Sequence, residues 1–503
     1  NRERVMRKTV QEINEKIKRG EAVVLTAEEM VELVKSKGPE AAVREVDVVT
    51  TGTFGAMCST GAFLNFGHAD PPIKLGGGEV YLNDVPAYTG LAAVDVYVGS
   101  TSISRTRGLE YGGGHVLEDL VSGKEIELIG KGYGTDCYPR REIRTTFTIH
   151  DLNQAILCCP RTCYQRYNAA TNSRDETLYT YMGMLLPNYG NVTFSWAGVL
   201  SPLSRDPEYR TIGIGTRIFL GGAQGYVISE GTQHDPERGM GTLAVAGDMK
   251  KMNSRYIRGC TIPRYGTSLY LGIGIPIPVL DEGIAMTAGR DESQLKTNIL
   301  DYGVPSRERP VVREVTCAEL RSGKVELAGK EVPVSPLSSF AMAREISETL
   351  KRWIEKGEFL LSEPVEPLSR ERTLKPMRMV ERLVRVKDLM TKRLITIGPD
   401  ESLEAAATLI KQHNIDHLPV VEKDRLVGIV TSWDLAVSLG TGKKRVSEIM
   451  TRKVITANEE EPVDVVVRRL EQHKISGVPV VDGEGRLRGI LTTDDISKFA
   501  VRR

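Results

Sequence analysis

Two cysteines lie in segments where a thiol can do chemistry. Cys58 lies in GTFGAMCSTGAFLNFGHADPP, which is too rich in glycine for a packed helix and carries His68 ten residues later. Cys137 lies in the turn-like segment GYGTDCYPRREIR. A position on a loop gives a thiol access to a substrate, so both cysteines are candidate nucleophiles. For Cys58 the alternative of a small core residue stays open.

Charged residues surround Cys137 closely. Arg140, Arg141 and Arg144 follow it, and cations beside a thiol lower its pKa. Asp136 precedes it and acts in the opposite direction. The balance of charges favours a reactive thiolate at Cys137.

A third group of cysteines does not have the spacing of a metal site. Cys158, Cys159 and Cys163 in ILCCPRTCYQRYN include an adjacent pair and a gap of four, whereas zinc and common iron–sulfur sites use C-x2-C pairs. We therefore predict buried apolar cysteines and no metal. GMGTLA at 239–244 fits a dinucleotide-binding pattern but follows HDPER and not a strand, so no tightly bound cofactor is predicted.

The elements that position these residues are mostly strands. From about 45 to 340, short β-rich runs alternate with glycine-rich turns, and helical patterning is sparse. Helices are predicted near the start, where Thr26 and Glu29 fit a capping box, and at 340–359, where apolar residues recur at helical spacing. We predict an α/β or α+β domain over residues 1–362, with a strand order that the pattern does not define.

The chain after residue 385 contains an internal repeat. VKDLMTKRLITI aligns with VSEIMTRKVITA, so that Met390 and Met450 are 60 residues apart. Each copy predicts a βαββα unit, and two such units can bury the sheets that one copy leaves exposed. The predicted bounds are a proline-punctuated linker at 363–385, a first copy at 386–444 and a second copy at 445–503.

The repeat resembles the tandem CBS pair, also called a Bateman module. In that family an adenosine-containing ligand lies between the copies, and a Thr/Ser-x-x-Asp pattern holds the ribose. The pattern occurs here as Thr431 with Asp434 and as Thr492 with Asp495. The same residue types also favour the first turn of a helix without any ligand. The other ligand contacts that the resemblance implies are Thr396, His417, Thr456 and Gly477.

An acidic run bears on the identity of this ligand. Residues 459–461 are three glutamates, which would repel a polyphosphate if they lie near the cleft. This favours S-adenosylmethionine, or a related thioether or other adenosine ligand, over ATP.

Composition excludes several classes of function. Lys and Arg number 67 and Asp and Glu 66, so the chain has no overall field to attract nucleic acid or an anionic membrane. No apolar run approaches the length of a membrane span, and the charged N-terminal segment does not resemble a signal peptide. We therefore expect a cytoplasmic protein whose seven cysteines are reduced.

The large domain resembles the homocysteine biosynthesis family over about residues 10–360. The resemblance is carried by TTGTFGAMCSTGAFLNFGHADPPIKL, YLNDVPAYTGL, GTDCYPR and CYQRYNAATN. It implies an L-aspartate semialdehyde sulfurtransferase of anaerobic prokaryotes, in which archaeal members often carry a CBS pair and which supplies homocysteine for methionine biosynthesis. Two family cysteines map onto Cys58 and Cys137, and the second is implied to be essential.

The implied reaction requires sulfur addition, loss of oxygen and two electrons. A cysteine persulfide can deliver the sulfur while a second thiol releases it or resolves a mixed disulfide, so Cys137 and Cys58 are expected to share these roles. His68 is a candidate acid for the departing hydroxyl, although a lone histidine is more often structural. The candidates for bidentate binding of the substrate carboxylate are Arg140, Arg141 and Arg144.

The partners follow from the same resemblance. The sequence contains no convincing nicotinamide, flavin or iron–sulfur motif, so we expect electrons from a ferredoxin-like iron–sulfur protein. A homodimer is expected because CBS pairs commonly associate. Two alternatives are a non-enzymatic sensor of a thiol metabolite and a nucleotide dehydrogenase of the inosine-monophosphate type. The dehydrogenase differs by inserting its CBS pair within the catalytic barrel and by a GxGSxC-type loop, neither of which occurs here.

Overall fold

The chain divides into two compact units. A computed structural model describes residues 7–371, 374–378 and 383–501. The large unit runs to Lys375 and the tail unit begins at Pro376. Part of the predicted linker, at 372–373 and 379–382, lies outside the described residues.

The helices are short except for the one that ends the large unit. In chain order they are α1 (Val10–Arg19), α2 (Ala27–Lys37), α3 (Pro39–Glu45), α4 (Gly113–Val121), α5 (Pro202–Arg205), α6 (Glu282–Ala288), α7 (Cys317–Arg321), α8 (Phe340–Glu355), α9 (Val386–Leu389), α10 (Leu403–His413), α11 (Ser432–Ser438), α12 (Val463–His473) and α13 (Thr493–Val501).

Strands are the commonest regular element of the large unit. Its first half contains β1 (Val24–Thr26), β2 (Val48–Thr50), β3 (Thr53–Ala56), β4 (Gly61–Asn65), β5 (Glu79–Leu82), β6 (Val85–Ala87), β7 (Asp95–Gly99), β8 (Ile103–Ser104), β9 (Gly108–Gly112), β10 (Ile126–Lys131), β11 (Glu142–Phe147), β12 (Gln154–Thr162), β13 (Ala169–Thr171) and β14 (Leu178–Thr180). Its second half contains β15 (Gly183–Leu185), β16 (Val192–Phe194), β17 (Gly213–Ile214), β18 (Arg217–Leu220), β19 (Ala223–Glu230), β20 (Leu243–Asp248), β21 (Ile257–Ile262), β22 (Gly266–Gly274), β23 (Pro276–Pro278), β24 (Lys296–Asp301), β25 (Val311–Thr316), β26 (Lys324–Leu327), β27 (Lys330–Pro336) and β28 (Glu366–Pro367). The tail contains β29 (His417–Glu422), β30 (Arg425–Thr431), β31 (Gly477–Val481) and β32 (Leu487–Thr492).

Local signals explain where the predicted helices begin. Thr26 accepts a hydrogen bond from the backbone N–H of Glu29, and the Glu29 carboxylate accepts one from the backbone N–H of Thr26, as the capping box predicts. At the other end of the unit, α8 buries Ile346, Leu350 and Ile354 on one face. Both helix predictions are confirmed.

A nine-stranded antiparallel sheet positions Cys58, and the loop with Cys137 joins β10 and β11 of a separate four-stranded sheet. The order of the nine-stranded sheet is β21-β22-β18-β19-β20-β12-β4-β7, with β3 paired to β22. A six-stranded mixed sheet, β25-β24-β13-β16-β27-β26, and a four-stranded sheet, β11-β10-β5-β6, complete most of the unit. In β12 burial alternates, with Ala155, Leu157 and Cys159 inside, because successive side chains of a strand point to opposite faces.

The tail consists of two matching units. Each has a helix, an antiparallel strand pair and a final helix, namely α10, β29, β30 and α11 in the first and α12, β31, β32 and α13 in the second. The predicted leading strand is reduced to single parallel bridges, from Ile397 to Val420 and from Ala457 to Val480.

The mixed α/β class with a C-terminal CBS-type pair is confirmed. The start of the predicted linker is packed on the large unit, because Ile214 of β17 pairs with Glu366 of β28 and Leu368 is buried. No helix of the described ranges is long and apolar enough to cross a membrane.

Candidate active site and ligand site

Cys58 lies in a turn between β3 and β4, against the central strand β22. The Ser268 hydroxyl donates a hydrogen bond to the Cys58 sulfur over 3.0 Å. Ser268 pairs across the sheet with Cys260 of β21, and Met57 of the turn donates its backbone N–H to the carbonyl of Leu269. Ser268 of β22 therefore lies between Cys58 in the turn on one side and Cys260 of β21 on the other.

Phenols surround this thiol. Burial raises the pKa of the Tyr164 phenol, and Cys58 is among the neighbours that add to the rise. Burial also raises the pKa values of Tyr265 and Tyr270, again with a contribution from Cys58. Burial raises the pKa of Cys260 to about 11, and nearby Cys58 adds to it. The surroundings of Cys58 are thus half-buried and aromatic, and they contain hydrogen-bond donors.

Cys137 is exposed in the loop at 132–139, which we call the Cys137 loop. The Thr135 hydroxyl lies 3.5 Å from the Cys137 sulfur and accepts a hydrogen bond from the backbone N–H of Tyr138. A hydrogen bond to Tyr133 raises the pKa of Lys74, and Cys137 adds to that rise, so an ammonium group lies near this thiol.

The other residues predicted around Cys137 have contacts of their own. The exposed His68 stacks on Tyr138, with ring centroids 5.8 Å apart. Arg140 donates hydrogen bonds to the carbonyls of Asp70 and Pro71 at 2.6 and 3.0 Å. These contacts hold the Cys137 loop against the segment that follows β4.

Two further predicted arginines are exposed. Arg144 lies in β11 and pairs with Glu127 at 2.6 Å. The Arg141 side chain lies against Gly134, where a Cβ atom would come within 2.9 Å of its Nε. Arg140 and Arg144 contact other groups of the same chain. Binding of a substrate carboxylate by the three arginines therefore stays a prediction that the geometry does not favour.

The structure places Cys58 and Cys137 at opposite ends of β4. Cys58 precedes Gly61, whereas His68 and the Cys137 loop lie beyond Asn65. Five residues of extended strand span roughly 14 Å at about 3.4 Å per residue. The structure therefore groups His68 with the Cys137 loop.

The cysteine cluster of β12 lies in the core. Cys159 and Cys163 are buried, and burial raises their pKa values to about 11 and about 12. Burial also raises the pKa of the half-buried Cys158. Among the described residues, no group of three or more His, Cys, Asp or Glu side chains is arranged to hold a metal ion.

The two Thr-x-x-Asp patterns of the tail are both capping boxes. In each, the aspartate Oδ2 accepts hydrogen bonds from the threonine backbone N–H and hydroxyl, at 2.8 and 2.7 Å for Thr431 with Asp434 and at 2.9 and 2.7 Å for Thr492 with Asp495. The copies differ at Oδ1, which in Asp495 also accepts a hydrogen bond from Thr391 at 3.3 Å. The helix-start role is thus present, and it leaves Oδ1 of Asp434 available.

Two predicted ligand residues contact each other. His417 Nε2 lies 3.1 Å from the Ser476 hydroxyl, and a Cβ atom on Gly477 would come within 3.1 Å of the His417 ring. His417 and Gly477 occupy equivalent positions of the two copies, so they meet where the copies face each other. Thr396 and Thr456 are half-buried, each directly before the bridge residue of its copy.

The acidic run of the tail is neutralised within the tail. Glu460 pairs with Arg385 at 2.8 Å and with Lys387 at 2.6 Å, and Glu461 pairs with Arg469 at 2.9 Å. Because these cations offset the carboxylates, the run supplies no argument against a polyphosphate ligand.

Sequence reasoning missed the neighbours of Cys58. Ser268 is 210 positions away in the chain and reaches Cys58 only through the pairing of β3 with β22. Arg161 also escaped notice, although CYQRYNAATN was among the strings that carried the family resemblance and begins two residues after it.

Both parts of the chain match known protein families. Residues 22–361 match the family described as homocysteine biosynthesis enzyme, sulfur-incorporation, and residues 386–440 and 446–502 each match the CBS domain. The chain belongs to this homocysteine biosynthesis enzyme family, with a tandem CBS pair, as the resemblance predicted.

The similarity extends along nearly the whole chain. The chain is 52% identical to the L-aspartate semialdehyde sulfurtransferase of Methanosarcina acetivorans, over 99% of this chain and 100% of that protein. It is 54% identical to the protein of the same name from Methanocaldococcus jannaschii, over 98% of both. The prediction of a homocysteine biosynthesis enzyme with archaeal relatives is confirmed.

Partial matches concern about a quarter of the chain. An inosine-5′-monophosphate dehydrogenase of Thermoplasma acidophilum is 41% identical over 24% of this chain and 25% of that protein. The solved CBS domain pair of protein MJ0100, in complex with 5-methylthioadenosine and S-adenosyl-L-methionine, is 48% identical over 24% of this chain and all of that chain, with a TM-score of 0.24.

Proposed function

We propose that the protein converts L-aspartate semialdehyde and a sulfide-derived sulfur to L-homocysteine, with electrons from outside. Similarity over nearly the full length to two L-aspartate semialdehyde sulfurtransferases supports this activity. The observation that carries it is the half-buried Cys58 thiol, which accepts a hydrogen bond from Ser268 at 3.0 Å in an otherwise aromatic site.

The overall reaction balances with two electrons. Hydrogen sulfide adds to the aldehyde carbon to give a carbon that carries hydroxyl and thiol groups. Loss of water gives a thioaldehyde, and two electrons with two protons reduce it to the CH2–SH group. If the sulfur arrives as a cysteine persulfide, two further electrons are needed to cleave the S–S bond.

The two thiols suit different steps. We assign the sulfur-carrying role next to the substrate to Cys58, because its site is partly closed and Ser268 can donate a hydrogen bond to a sulfur anion. The exposed Cys137, near Lys74, suits contact with the sulfur donor or the electron donor. A persulfide on Cys58 requires sulfur at the persulfide oxidation level from the donor; two electrons then cleave its S–S bond and release hydrosulfide, which adds to the aldehyde. His68 stays a candidate acid at the Cys137 end.

Serine variants test the thiol mechanism. The chain is supplied with L-aspartate semialdehyde, sulfide and a chemical reductant, and homocysteine is measured for Cys58→Ser, Cys137→Ser and the control Cys158→Ser. Both site variants are expected to lose at least 100-fold in rate and the control less than threefold, because the half-buried Cys158 lies in the interior of β12.

Mass spectrometry adds an independent readout. A gain of about 32 daltons on Cys58 or Cys137 after incubation with polysulfide, which carries sulfur at the persulfide oxidation level, marks a persulfide. Homocysteine production by both site variants at the rate of the unchanged chain would contradict the thiol mechanism. No homocysteine from the unchanged chain above the protein-free rate would leave the alternative of a thiol-metabolite sensor.

The tail is proposed to bind a regulatory adenosine ligand, with S-adenosylmethionine the first candidate. Oδ1 of Asp434 is directed at no partner within the described tail and can accept ribose hydroxyls, while Thr431 fixes Oδ2. S-adenosylmethionine is made from methionine and hence from homocysteine, so it reports the supply of the product.

Partners and location complete the proposal. A ferredoxin-like iron–sulfur protein is the proposed electron donor, and the cytoplasm is the proposed location.

We also propose a homodimer, because α11 and the residue after it expose Trp433, Val437 and Leu439, at 73, 58 and 82% of their surface. Sedimentation of Trp433→Glu beside the unchanged chain tests the dimer; the variant is expected to sediment as a monomer.

A further inference from the structure

Arg161 lies at the end of β12, beside the turn that holds Cys58. Cys158 of β12 pairs with Gly61 of β4. Four residues after Cys158, the Thr162 hydroxyl donates a hydrogen bond to the Met57 sulfur at 3.3 Å. The contacts of Cys158 and Thr162 on either side of it therefore bring Arg161 close to the turn that holds Cys58.

The side chain of Arg161 is half-buried and has a hydrogen-bond donor without a partner among the described residues. Its Nε is buried and has no hydrogen-bond partner in the part of the chain that the structure describes. Burial raises the pKa of the Tyr164 phenol, and Arg161 acts against that rise, as expected of a positive charge close by. A buried donor without a partner costs free energy, and a carboxylate matches the fork of donors that a guanidinium presents.

The surroundings of Cys58 reach the protein surface at Tyr265. Tyr265, which lies close enough to Cys58 for the thiol to affect its pKa, is 44% exposed. Tyr164 is half-buried and Ser268 is fully buried. The approach of a substrate from solvent is therefore expected on the Tyr265 side.

We infer that Arg161 binds the α-carboxylate of an amino-acid aldehyde whose carbonyl carbon faces Cys58. The inference rests on the proposed function. A guanidinium that binds the carboxylate leaves the aldehyde carbon of a short substrate free to meet the Cys58 thiol. The site thus selects a short aldehyde with a terminal carboxylate.

Substrate preference tests this role. Rates are measured for L-aspartate semialdehyde and for propanal, which lacks the carboxylate, with Arg161→Gln, Arg161→Lys and the control Arg258→Gln. Arg258 is a 62% exposed arginine of β21 that contacts Glu118. We expect Arg161→Gln to raise KM for the semialdehyde about 100-fold with kcat changed less than fivefold and propanal unaffected. Arg161→Lys keeps the charge without the fork and is expected to raise KM about tenfold.

The outcomes separate this inference from the proposed function. An unchanged preference for the carboxylate-bearing aldehyde in both Arg161 variants overturns the role of Arg161 while homocysteine formation by the unchanged chain still stands. If the unchanged chain makes no thiol from either aldehyde, the proposed function fails, and calorimetric titration with L-aspartate semialdehyde decides on Arg161 alone. Binding that is lost in Arg161→Gln supports the inference, and equal binding overturns it. If Arg161→Gln does not fold, the Lys variant decides.

Discussion

The two proposed ribose-binding aspartates have different numbers of free oxygens, and this predicts unequal ligand sites. Oδ2 is used by the capping box in both Asp434 and Asp495. Oδ1 of Asp495 also accepts a hydrogen bond from Thr391 at 3.3 Å, whereas no such bond to Asp434 occurs in the described tail. The Asp434 site therefore has the greater capacity to accept two ribose hydroxyls.

The magnitude follows from charge-assisted hydrogen bonds, which contribute about 1.5 to 3 kcal/mol each. Replacing Asp434 by Ala is expected to weaken binding by about 3 kcal/mol, on the order of 100-fold. Replacing Asp495 is expected to cost about 1.4 kcal/mol, roughly tenfold, because Thr391 already competes for its Oδ1. Each variant also loses a capping box, which lowers the free energy of unfolding of the tail by about 1 kcal/mol.

Calorimetric titration of the full chain with S-adenosylmethionine, AMP and ATP is the assay. Thr391→Val is the matched control, because it releases Oδ1 of Asp495 without touching the carboxylate and is expected to tighten the second site about fivefold. Thermal unfolding shows whether both aspartate variants lose similar stability. Equal losses of affinity in the two aspartate variants, together with no effect of Thr391→Val, would refute the reasoning.

Further predictions concern the tail interface and the cysteines. Gly477→Ala places a Cβ atom 3.1 Å from the His417 ring and should lower the free energy of unfolding by about 1 to 2 kcal/mol in chemical denaturation. Burial lowers the pKa of His417 from 6.5, so the unfolded tail binds the proton more readily than the folded tail. The free energy of unfolding should therefore fall as the pH drops below 6.5. His417→Gln should remove this pH dependence in thermal unfolding between pH 7.5 and 5.5. Iodoacetamide should label the exposed Cys137 in the native protein but not Cys159 or Cys163, whose burial raises their pKa values to about 11 and about 12. Mass spectrometry detects the label, and labelling of Cys159 or Cys163 before denaturation would contradict their burial.

The tail could be predicted largely from local pattern. Its copies repeat Met390 as Met450, and the capping pattern of Thr431 recurs at Thr492, so each unit follows from signals within a few residues of one another. The short leading strand predicted for each unit is only a bridge in the structure, from Ile397 to Val420 in the first unit. A single bridge depends on how the chain enters the unit, which local propensity does not determine.

The thiol sites could be predicted only in part. The segment around Cys58 marked a candidate nucleophile, but its hydrogen-bond donor Ser268 comes from a strand far along the chain, and sheet register is a tertiary property. Arg144 was selected for its position beside Cys137, yet it pairs with Glu127 of the neighbouring strand. Proximity in sequence identified charges, whereas the register of the sheet decides which of them are free.

The two copies of the tail exchange backbone pairing. Thr391 of the first copy pairs with Ile490 of the second, and Thr451 of the second pairs with Ile429 of the first. Each copy thus supplies a piece of backbone that completes its neighbour, so one copy alone would leave these backbone groups to water or to a second molecule. Covalent linkage of two copies provides the partner within one chain and lets the two halves differ, as the surroundings of Asp434 and Asp495 do.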